Sequence, residues 1–395
     1  MKKAFIFAAA AALALAACSK NEVIETINKV PEEVAIGFSN YTPNAVTKAN
    51  DSYVSSTTLV TNKQFAVYAW QTNHGSWLTA NPETPNFMNP AVVTWKDDTT
   101  DGDENTYSPL RYWPSGDDPA ELSFAAYYPY GGAGITAPTF TTGVGTYAFT
   151  AQNTPATMVD FCVADVVNDQ EYGHTNGGSY KGTVKFTFKH QLTKVQFKFK
   201  TVSDLENTAV IELLDADLSG INNTGTLTAT YAQNASPAVN ALGTTTTTWS
   251  SVSGTATYDL TVNNENPEES TAIKLTSTAT EVHNNDIFLM VPQDMAADTQ
   301  KLTIKWRVRV YDTAEHATSN DGSTGLLSQT VNTKALSLYS DLMNGDTDSA
   351  SSISAINWAM NNFITYTITI GPKPIYFTAE VTNWDSVQNG YMNVN

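Results

Sequence analysis

The sequence predicts an all-β protein built from two antiparallel β-sandwich domains in tandem. The main signal is residue-by-residue alternation of apolar and polar side chains, which is clearest over residues 184–188, 194–200 and 302–310. A period of two places apolar side chains on one face of a sheet and the alternating lysines and arginines in water. Short strand-like runs separated by Pro, Gly, Asn and Asp make up much of the remaining chain. Sustained helical periodicity is missing, apart from a short helix expected within residues 333–343.

The predicted domain organisation has four parts. The length of 395 residues exceeds what one hydrophobic core usually holds, so two domains are expected. We predict a signal peptide over residues 1–17, a leader over 18–48, an N-terminal β-sandwich over 49–192 and a C-terminal β-sandwich over 193–395. Within the leader, Val34, Ile36 and Phe38 alternate with other residues and predict a first strand.

The N-terminus has the pattern of a bacterial lipoprotein signal. Lys2 and Lys3 precede an apolar run of 14 residues, Ala4 to Ala17, which is too short to span a bilayer. Small residues lead directly into Cys18. We therefore expect cleavage before Cys18 and acylation of its thiol, with palmitate among the acyl groups, so that lipid tethers the chain to a membrane. An ordinary secretory signal that happens to end near a cysteine is the alternative.

The charge of the chain excludes several classes of partner. The formal net charge of −18 becomes −20 when residues 1–17, with two lysines and no acid, are removed. The chain has three arginines: Arg111, Arg307 and Arg309. Binding to nucleic acid or to anionic headgroups depends on clustered lysine and arginine. The sequence therefore predicts no nucleic-acid partner.

Residues with catalytic or metal-binding chemistry are sparse. Cys162 is predicted to be a small buried side chain, and the spacing of cysteines and histidines fits neither a disulfide framework nor a zinc site. His190 follows a strand, where a structural role is expected. Nucleophile, phosphate-loop and dinucleotide motifs are missing from the sequence, so we predict a protein that is not an enzyme and holds no cofactor.

Two further features leave alternatives open. Residues 97–108 resemble a calcium loop at their start, but Ser108 occupies the twelfth position, where a bidentate Glu is needed. We interpret them as a solvated acidic turn. Tryptophans could stack on sugars, although such side chains more often fill a sandwich core; they are Trp70, Trp77, Trp95 and Trp113.

Several stretches, taken in order with the lipoprotein signal, resemble the Bacteroides-type fimbrillin family. They are Phe65–Ala69, Tyr112–Pro114, Leu122–Pro129, Phe188–Leu192, Val291–Gln293 and Ile375–Trp384. The resemblance implies two transthyretin-like β-sandwich domains and a pilus subunit exported as an outer-membrane lipoprotein. It also implies that a trypsin-like protease removes the leader with its first strand. Another subunit then fills the resulting groove by donor-strand exchange, and the contact propagates into a fibre.

The processing site departs from the family pattern, because no arginine precedes Arg111. Lys48 follows the predicted first strand in a polar stretch, so we predict cleavage between Lys48 and Ala49. Residues 386–395 form a short C-terminal segment, with Val387 and Tyr391 among its apolar residues, that could supply a donor strand. Its shortness favours a tip or accessory subunit, and stalk and anchor positions remain alternatives.

The resemblance implies a surface-exposed fimbrial protein of the outer membrane. Its partners would be other pilus subunits, the outer membrane through the lipid on Cys18, and ligands on host or bacterial surfaces. A surface-tethered glycan-binding lipoprotein is the alternative function, and it requires exposed aromatic side chains and an uncleaved leader. A secreted hydrolase is a third possibility, which requires convergent carboxylates or a nucleophile in a pocket.

Overall fold

The computed structural model shows an almost entirely β protein. It describes residues 33–41, 63–73, 78, 84–95, 105–115, 119–172, 182–202, 207–232, 243–260, 272–281, 287–296, 298–319, 322–341, 356–371 and 376–384. The strands are β1 (Gly37–Tyr41), β2 (Gln64–Thr72), β3 (Met88–Thr94), β4 (Glu121–Tyr128), β5 (Thr139–Thr141), β6 (Val144–Thr150), β7 (Cys162–Ala164), β8 (Val167–Gln170), β9 (Thr183–His190), β10 (Thr193–Thr201), β11 (Ala209–Ile221), β12 (Thr224–Ala232), β13 (Thr244–Ser253), β14 (Ala256–Asp259), β15 (Ile273–Lys274), β16 (Thr280–Glu281), β17 (Phe288–Met290), β18 (Lys301–Tyr311), β19 (Leu326–Ser337), β20 (Asn362–Ile370) and β21 (Tyr376–Asn383). A 3-10 turn spans Pro155–Thr157, and helix α1 spans Ala314–Ser319.

Two sheets make up the N-terminal layers. Sheet 1 has the order β1-β9-β7-β4-β2-β3, with β8 also paired to β4, and sheet 2 has the order β13-β12-β6-β5. Tyr68 and Trp70 of β2 contact Phe140 of β5 with ring centroids 4.8 and 5.1 Å apart. Tyr127 of β4 contacts Tyr147 of β6 at 5.5 Å. The two sheets therefore pack face to face through aromatic side chains.

Two further sheets form the C-terminal layers. Sheet 3 has the order β16-β10-β20-β21, with β17 also on β10, and sheet 4 has the order β14-β11-β18-β19, with β15 also on β11. Phe288 of sheet 3 meets Tyr258 of sheet 4 edge to face, with centroids 6.0 Å apart. Phe197 and Tyr366 stack within sheet 3 at 5.2 Å. The all-β prediction is confirmed, while the tandem transthyretin-like arrangement stays a prediction.

Sheet 2 contains strands from both sides of the predicted domain boundary at residues 192/193. Strands β5 and β6 precede that boundary, whereas β12 and β13 follow it, and β12 pairs with β6 over residues 224–230. One main core accordingly includes side chains from all four sheets, such as Tyr127, Leu227, Phe197 and Leu302. The boundary stays a prediction, since the chain crosses between the layers after it.

Two pairs of described strands run parallel, whereas the sequence predicted antiparallel sheets. They are β1 with β9 and β10 with β20, and the remaining pairs are antiparallel. Strands β10 and β20 are separated in sequence by the nine described strands β11 to β19. A tight hairpin forces an antiparallel pair, but such a long connection allows either direction.

The prediction of a helix within residues 333–343 is wrong. Residues up to Ser337 belong to β19, which pairs with β18 along its length, and turns follow as far as residue 341. The described helix lies instead at Ala314–Ser319, directly after β18. Among the described residues, no helix is long and apolar enough to cross a membrane.

A second hydrophobic cluster, the outer core, covers the face of sheet 1 that points away from sheet 2. It includes the buried side chains Ile36, Phe38, Phe65, Val67, Ala69, Met88, Val93, Trp95, Tyr107, Trp113, Leu122, Phe124, Ala126, Tyr128, Cys162, Ala164, Val167, Val184, Phe186 and Phe188. Two of its members, Ile36 and Phe38, come from the predicted leader. Sheet 1 is therefore buried on both faces, and the leader helps to cover one of them.

Candidate functional site

The segment around β1 lies in a groove with backbone partners on both sides. On one side, β1 pairs in parallel with β9, in a register that runs from Gly37 opposite Thr183 to Tyr41 opposite Thr187. On the other side, residues 105–113 run past the leader, and Ala35 forms an antiparallel bridge with Tyr112. We call this feature the β1 groove, with residues 182–187 and 105–113 as its two walls. Backbone groups bind the segment along both of its edges, as they do for an inner strand of a sheet.

Phe38 fills the centre of the groove. Its ring lies 5.3 Å from that of Tyr107, 5.9 Å from that of Phe186 and 6.2 Å from that of Phe124, measured between centroids. The side chain is only 3% exposed. Ile36, at 1% exposed, points into the same outer core because it lies two residues earlier in an extended segment. Burial of these two side chains supplies the apolar contribution to holding the leader.

Side chains of the 105–113 wall hold the backbone of β1. The Tyr107 hydroxyl donates to the Ile36 carbonyl at 2.9 Å, and the Asn105 amide donates to the Phe38 carbonyl. Burial raises the pKa of the Tyr107 phenol, although hydrogen bonding with the Arg111 backbone partly offsets this. Tyr107 is therefore a neutral donor throughout the physiological range. The Arg111 guanidinium lies over the Phe87 ring at 5.8 Å, which fastens this wall to the outer core.

Gly182 begins the opposite wall in a conformation that favours glycine. Its φ is +84°, and a Cβ at this position would lie 2.9 Å from Val34 Cγ1. Its carbonyl accepts hydrogen bonds from the Gly37 amide and from Trp113 Nε1, both at 2.9 Å. One carbonyl thus joins β9, the leader and the 105–113 wall at the entrance to the groove.

A second group of polar side chains lies buried where β7 and β9 meet. Asp160 Oδ1 is 3.0 Å from His190 Nδ1 and 3.5 Å from Cys162 Sγ, and Cys162 Sγ is 3.6 Å from His190 Nδ1. All three residues are at most 1% exposed. They are ligand types that zinc accepts, but their atoms already bond to one another away from solvent. The arrangement stabilises the junction, and the thiol of Cys162 is fully buried.

A cluster of acidic side chains is the other described group with ligand atoms close together. Asp215, Asp217 and Asp259 lie on β11 and β14 of sheet 4, where Asp217 pairs directly with Asp259. Burial, followed by the charges of Asp215 and Asp259, raises the pKa of the Asp217 carboxyl. The group is partly exposed and its charges repel one another, as on an ordinary acidic surface.

The predicted site residues fall partly outside the described residues. Cys18, Lys48 and Ala49 lie there, as do residues 97–104 of the acidic turn and Trp77. The other three tryptophans considered for sugar stacking are Trp70, Trp95 and Trp113, which are 1%, 1% and 4% exposed. These three therefore belong to cores and do not form an exposed sugar platform. Cys162 is buried as expected.

The wall formed by residues 105–113 was missed at the sequence level. Asn105 and Tyr107 follow the acid-rich residues 97–104 in sequence and lie in a segment without strand alternation, so no periodic pattern singles them out. Thr183 resembles any other polar position of β9. The only signal was compositional, since the Tyr112–Pro114 motif places aromatic residues in an otherwise polar stretch.

Comparison with known proteins places this architecture in a family. The fimbrillin-like family model matches residues 47–384. The fimbrium subunit Fim1C of Phocaeicola vulgatus is 32% identical over 204 residues, covering 47% of this chain and 48% of that protein. The match thus spans about half the length of that curated relative.

A solved structure shares the fold. It is a fimbrial protein from Bacteroides vulgatus, with a TM-score of 0.53 at 20% identity, covering 89% of this chain and 99% of its own. At that identity the likeness concerns the fold alone. The family assignment rests on the model that matches residues 47–384. The chain belongs to the fimbrillin-like family.

Proposed function

We propose that this chain is a structural and adhesive subunit of a fimbria that assembles by donor-strand exchange. The observation that carries the proposal is the β1 groove, in which the leader supplies a strand held on both edges. That strand lies outside residues 47–384, the range that the family model matches. The proposal gives the chain a structural role and no catalytic step.

Loss of the leader would leave the groove with a strong tendency to bind another strand. The edge of β9 over residues 183–187 would lose its parallel partner, and the outer core would lose Ile36 and Phe38. Unpaired backbone groups beside an apolar floor form a site for β-strand addition. A strand from a second subunit restores both kinds of contact. Because the donor and the groove are different surfaces of one chain, the contact repeats without closing.

Export and processing complete the proposal. We propose that the precursor is carried to the outer membrane as a lipoprotein acylated on Cys18, and that a protease then cuts between Lys48 and Ala49. The named relative is a fimbrium subunit, which supports a fimbrial location on the cell surface. Residues 386–395 follow the buried Trp384 and are the candidate donor segment. Adhesion ligands would bind at the exposed loops.

Intact mass and N-terminal sequencing of protein recovered from cell-surface fibres test this proposal. We expect chains in the fibre to begin at Ala49. The matched control is Lys48→Gln, which should leave chains that begin at acylated Cys18 and reduce fibre formation. Fibres composed of chains that still begin at Cys18 would contradict the proposal, because the leader strand would then still be attached.

A further inference from the structure

The backbone contacts of the groove do not depend on which strand fills it. The Ile36 amide donates to the Arg111 carbonyl at 2.9 Å, and the Gly37 amide donates to the Gly182 carbonyl at 2.9 Å. The Tyr107 hydroxyl and the Asn105 amide donate to main-chain carbonyls of β1. Every residue except proline offers these groups, so such bonds give affinity without selectivity. Selection has to come from the side-chain positions.

Position 37 favours glycine, because a larger side chain would crowd the neighbouring strand. A Cβ built on Gly37 would lie 3.0 Å from Thr183 Oγ1 and 3.7 Å from the Thr183 Cα and Cβ. The first distance is shorter than normal van der Waals contact, whereas the others are ordinary. The Thr183 hydroxyl is therefore the atom that would have to move to admit a side chain at this point of the parallel pair.

Position 38 holds an aromatic ring that packs among three others. The Phe38 ring contacts three other rings, those of Tyr107, Phe124 and Phe186, in tilted, edge-to-face and stacked arrangements. Aromatic pairs of this kind contribute beyond the burial of area alone. A smaller apolar side chain would leave a cavity among three rings that are fixed by the surrounding core.

We infer that the β1 groove selects its strand by a glycine followed directly by an aromatic residue, with Thr183 and the three rings as the selecting groups. The inference rests on the proposed function. Of the 22 glycines in the chain, two are followed directly by an aromatic residue: Gly37 and Gly390. The second lies in the candidate donor segment, so the strand that fits is residues 389–394 of a second copy of this chain.

The two segments resemble each other over five positions. Residues 37–41 are Gly-Phe-Ser-Asn-Tyr, and residues 390–394 are Gly-Tyr-Met-Asn-Val, so glycine, an aromatic residue and asparagine recur in the same order. The preceding position differs, because Asn389 would replace Ile36, which is 1% exposed. The donor thus fits less well than the leader at one position, and a cut would remove the leader's advantage of belonging to the same chain. A tail that fits the groove of another copy favours a donating subunit over a tip.

Competition with synthetic peptides tests the selection. The full chain is prepared with a specific protease site in place of residues 46–49, cut, and incubated with a labelled peptide of residues 385–395. We expect this peptide to displace the cut leader. Gly390→Ala and Tyr391→Ala peptides should each bind at least about fivefold more weakly. Asn389→Ile should bind about tenfold more tightly, since it restores the buried aliphatic side chain. Gln388→Ala is the matched control, because it corresponds to the exposed Ala35.

A change on the groove side makes the test specific. The Thr183→Ala chain lacks the hydroxyl that crowds a Cβ, so it should bind the Gly390→Ala peptide as well as the wild-type peptide. Equal binding of all peptides to the wild-type chain would overturn the selection while leaving strand addition intact. Failure of every peptide, wild type included, to displace the cut leader would overturn the selection together with the proposed function.

Discussion

The rings of His190 and Trp384 stack with centroids 4.0 Å apart and planes 8° apart. His190 ends β9 in sheet 1, whereas Trp384 follows β21, the last strand of sheet 3. The Trp384 amide also donates to the Asn361 carbonyl at 2.8 Å. The end of the described chain is therefore fastened to the N-terminal layers. The candidate donor segment begins directly after this fixed point.

Replacing Trp384 should destabilise the whole fold. We expect Trp384→Ala to lower the free energy of unfolding by about 3–5 kcal/mol, because a large buried side chain leaves a cavity. Urea denaturation followed by circular dichroism measures this. Trp384→Phe, which retains a ring beside His190, should lose clearly less. Equal losses for the two variants would mean that the stack contributes nothing specific.

The buried carboxyl of Asp160 should also matter for stability. Asp160→Ala removes the acceptor that lies 3.0 Å from His190 Nδ1 and near Cys162 Sγ. We expect a loss of about 1–3 kcal/mol in the free energy of unfolding, since these polar groups stay desolvated. Asp160→Asn, which keeps an oxygen acceptor, is the control and should lose less. An unchanged denaturation midpoint for Asp160→Ala would contradict a stabilising role for this group.

Glu212 neutralises two buried guanidinium groups in sheet 4. Its carboxylate accepts from Arg307 Nε at 2.7 Å and lies 3.6 Å from an Arg309 terminal nitrogen. Glu212→Ala leaves both cations without this partner, so we expect the free energy of unfolding to fall by about 3–5 kcal/mol. Asp215→Ala, on the same strand but more exposed, should change it little. Comparable losses for the two variants, measured by thermal unfolding, would refute the assignment.

Buried tyrosines should make the fold sensitive to alkali. Burial raises the pKa of Tyr231 and of Tyr258 to about 12, from 10.0. Between pH 10 and 12 the folded chain holds protons that the unfolded chain has lost, so stability falls as the pH rises. Each tyrosine contributes up to about 1.4 kcal/mol per pH unit.

Tyr258→Phe isolates this effect. Among the described residues the Tyr258 hydroxyl has no hydrogen-bond partner, so its removal should leave stability at pH 7 unchanged or increased. Denaturant midpoints measured from pH 7 to 12 should fall less steeply for this variant than for the wild type. Parallel curves would contradict the assigned pKa.

Alternation in the sequence predicts the strands better than it predicts exposure. Strand β9 alternates between buried and more exposed positions as expected, whereas in β18 the alternation changes phase at Trp306 and Arg307, so that Val308 is more exposed than the arginines beside it. Lys194, expected in water, is instead 2% exposed, with its amine 4.5 Å from the centroid of the Phe363 ring. Arg307 and Arg309 are likewise buried. Such side chains are covered by strands distant in sequence, and local periodicity contains no information about those strands.

Of the β1 groove and the strand that fills it, only the strand was predictable from the sequence. The leader strand with Phe38 shows in the sequence as apolar alternation, whereas the residues that hold it depend on long-range contacts. Tyr107 reaches the Ile36 carbonyl across 71 positions of sequence, and Asn105 reaches the Phe38 carbonyl across 67. Strands β12 and β13 join β5 and β6 in sheet 2, which is a further pairing between distant parts of the sequence. Composition and turn residues do not specify it.

Disulfide trapping tests subunit assembly through the β1 groove most directly. Ser39 lies opposite Lys185, and Met392 takes the place of Ser39 when Gly390 is aligned with Gly37. Adjacent strands place paired Cα atoms within the reach of a disulfide. The Lys185→Cys, Met392→Cys double variant should therefore form a ladder of linked subunits in fibres under oxidising conditions, and neither single variant should. Fibres that assemble normally without such a ladder would contradict the account.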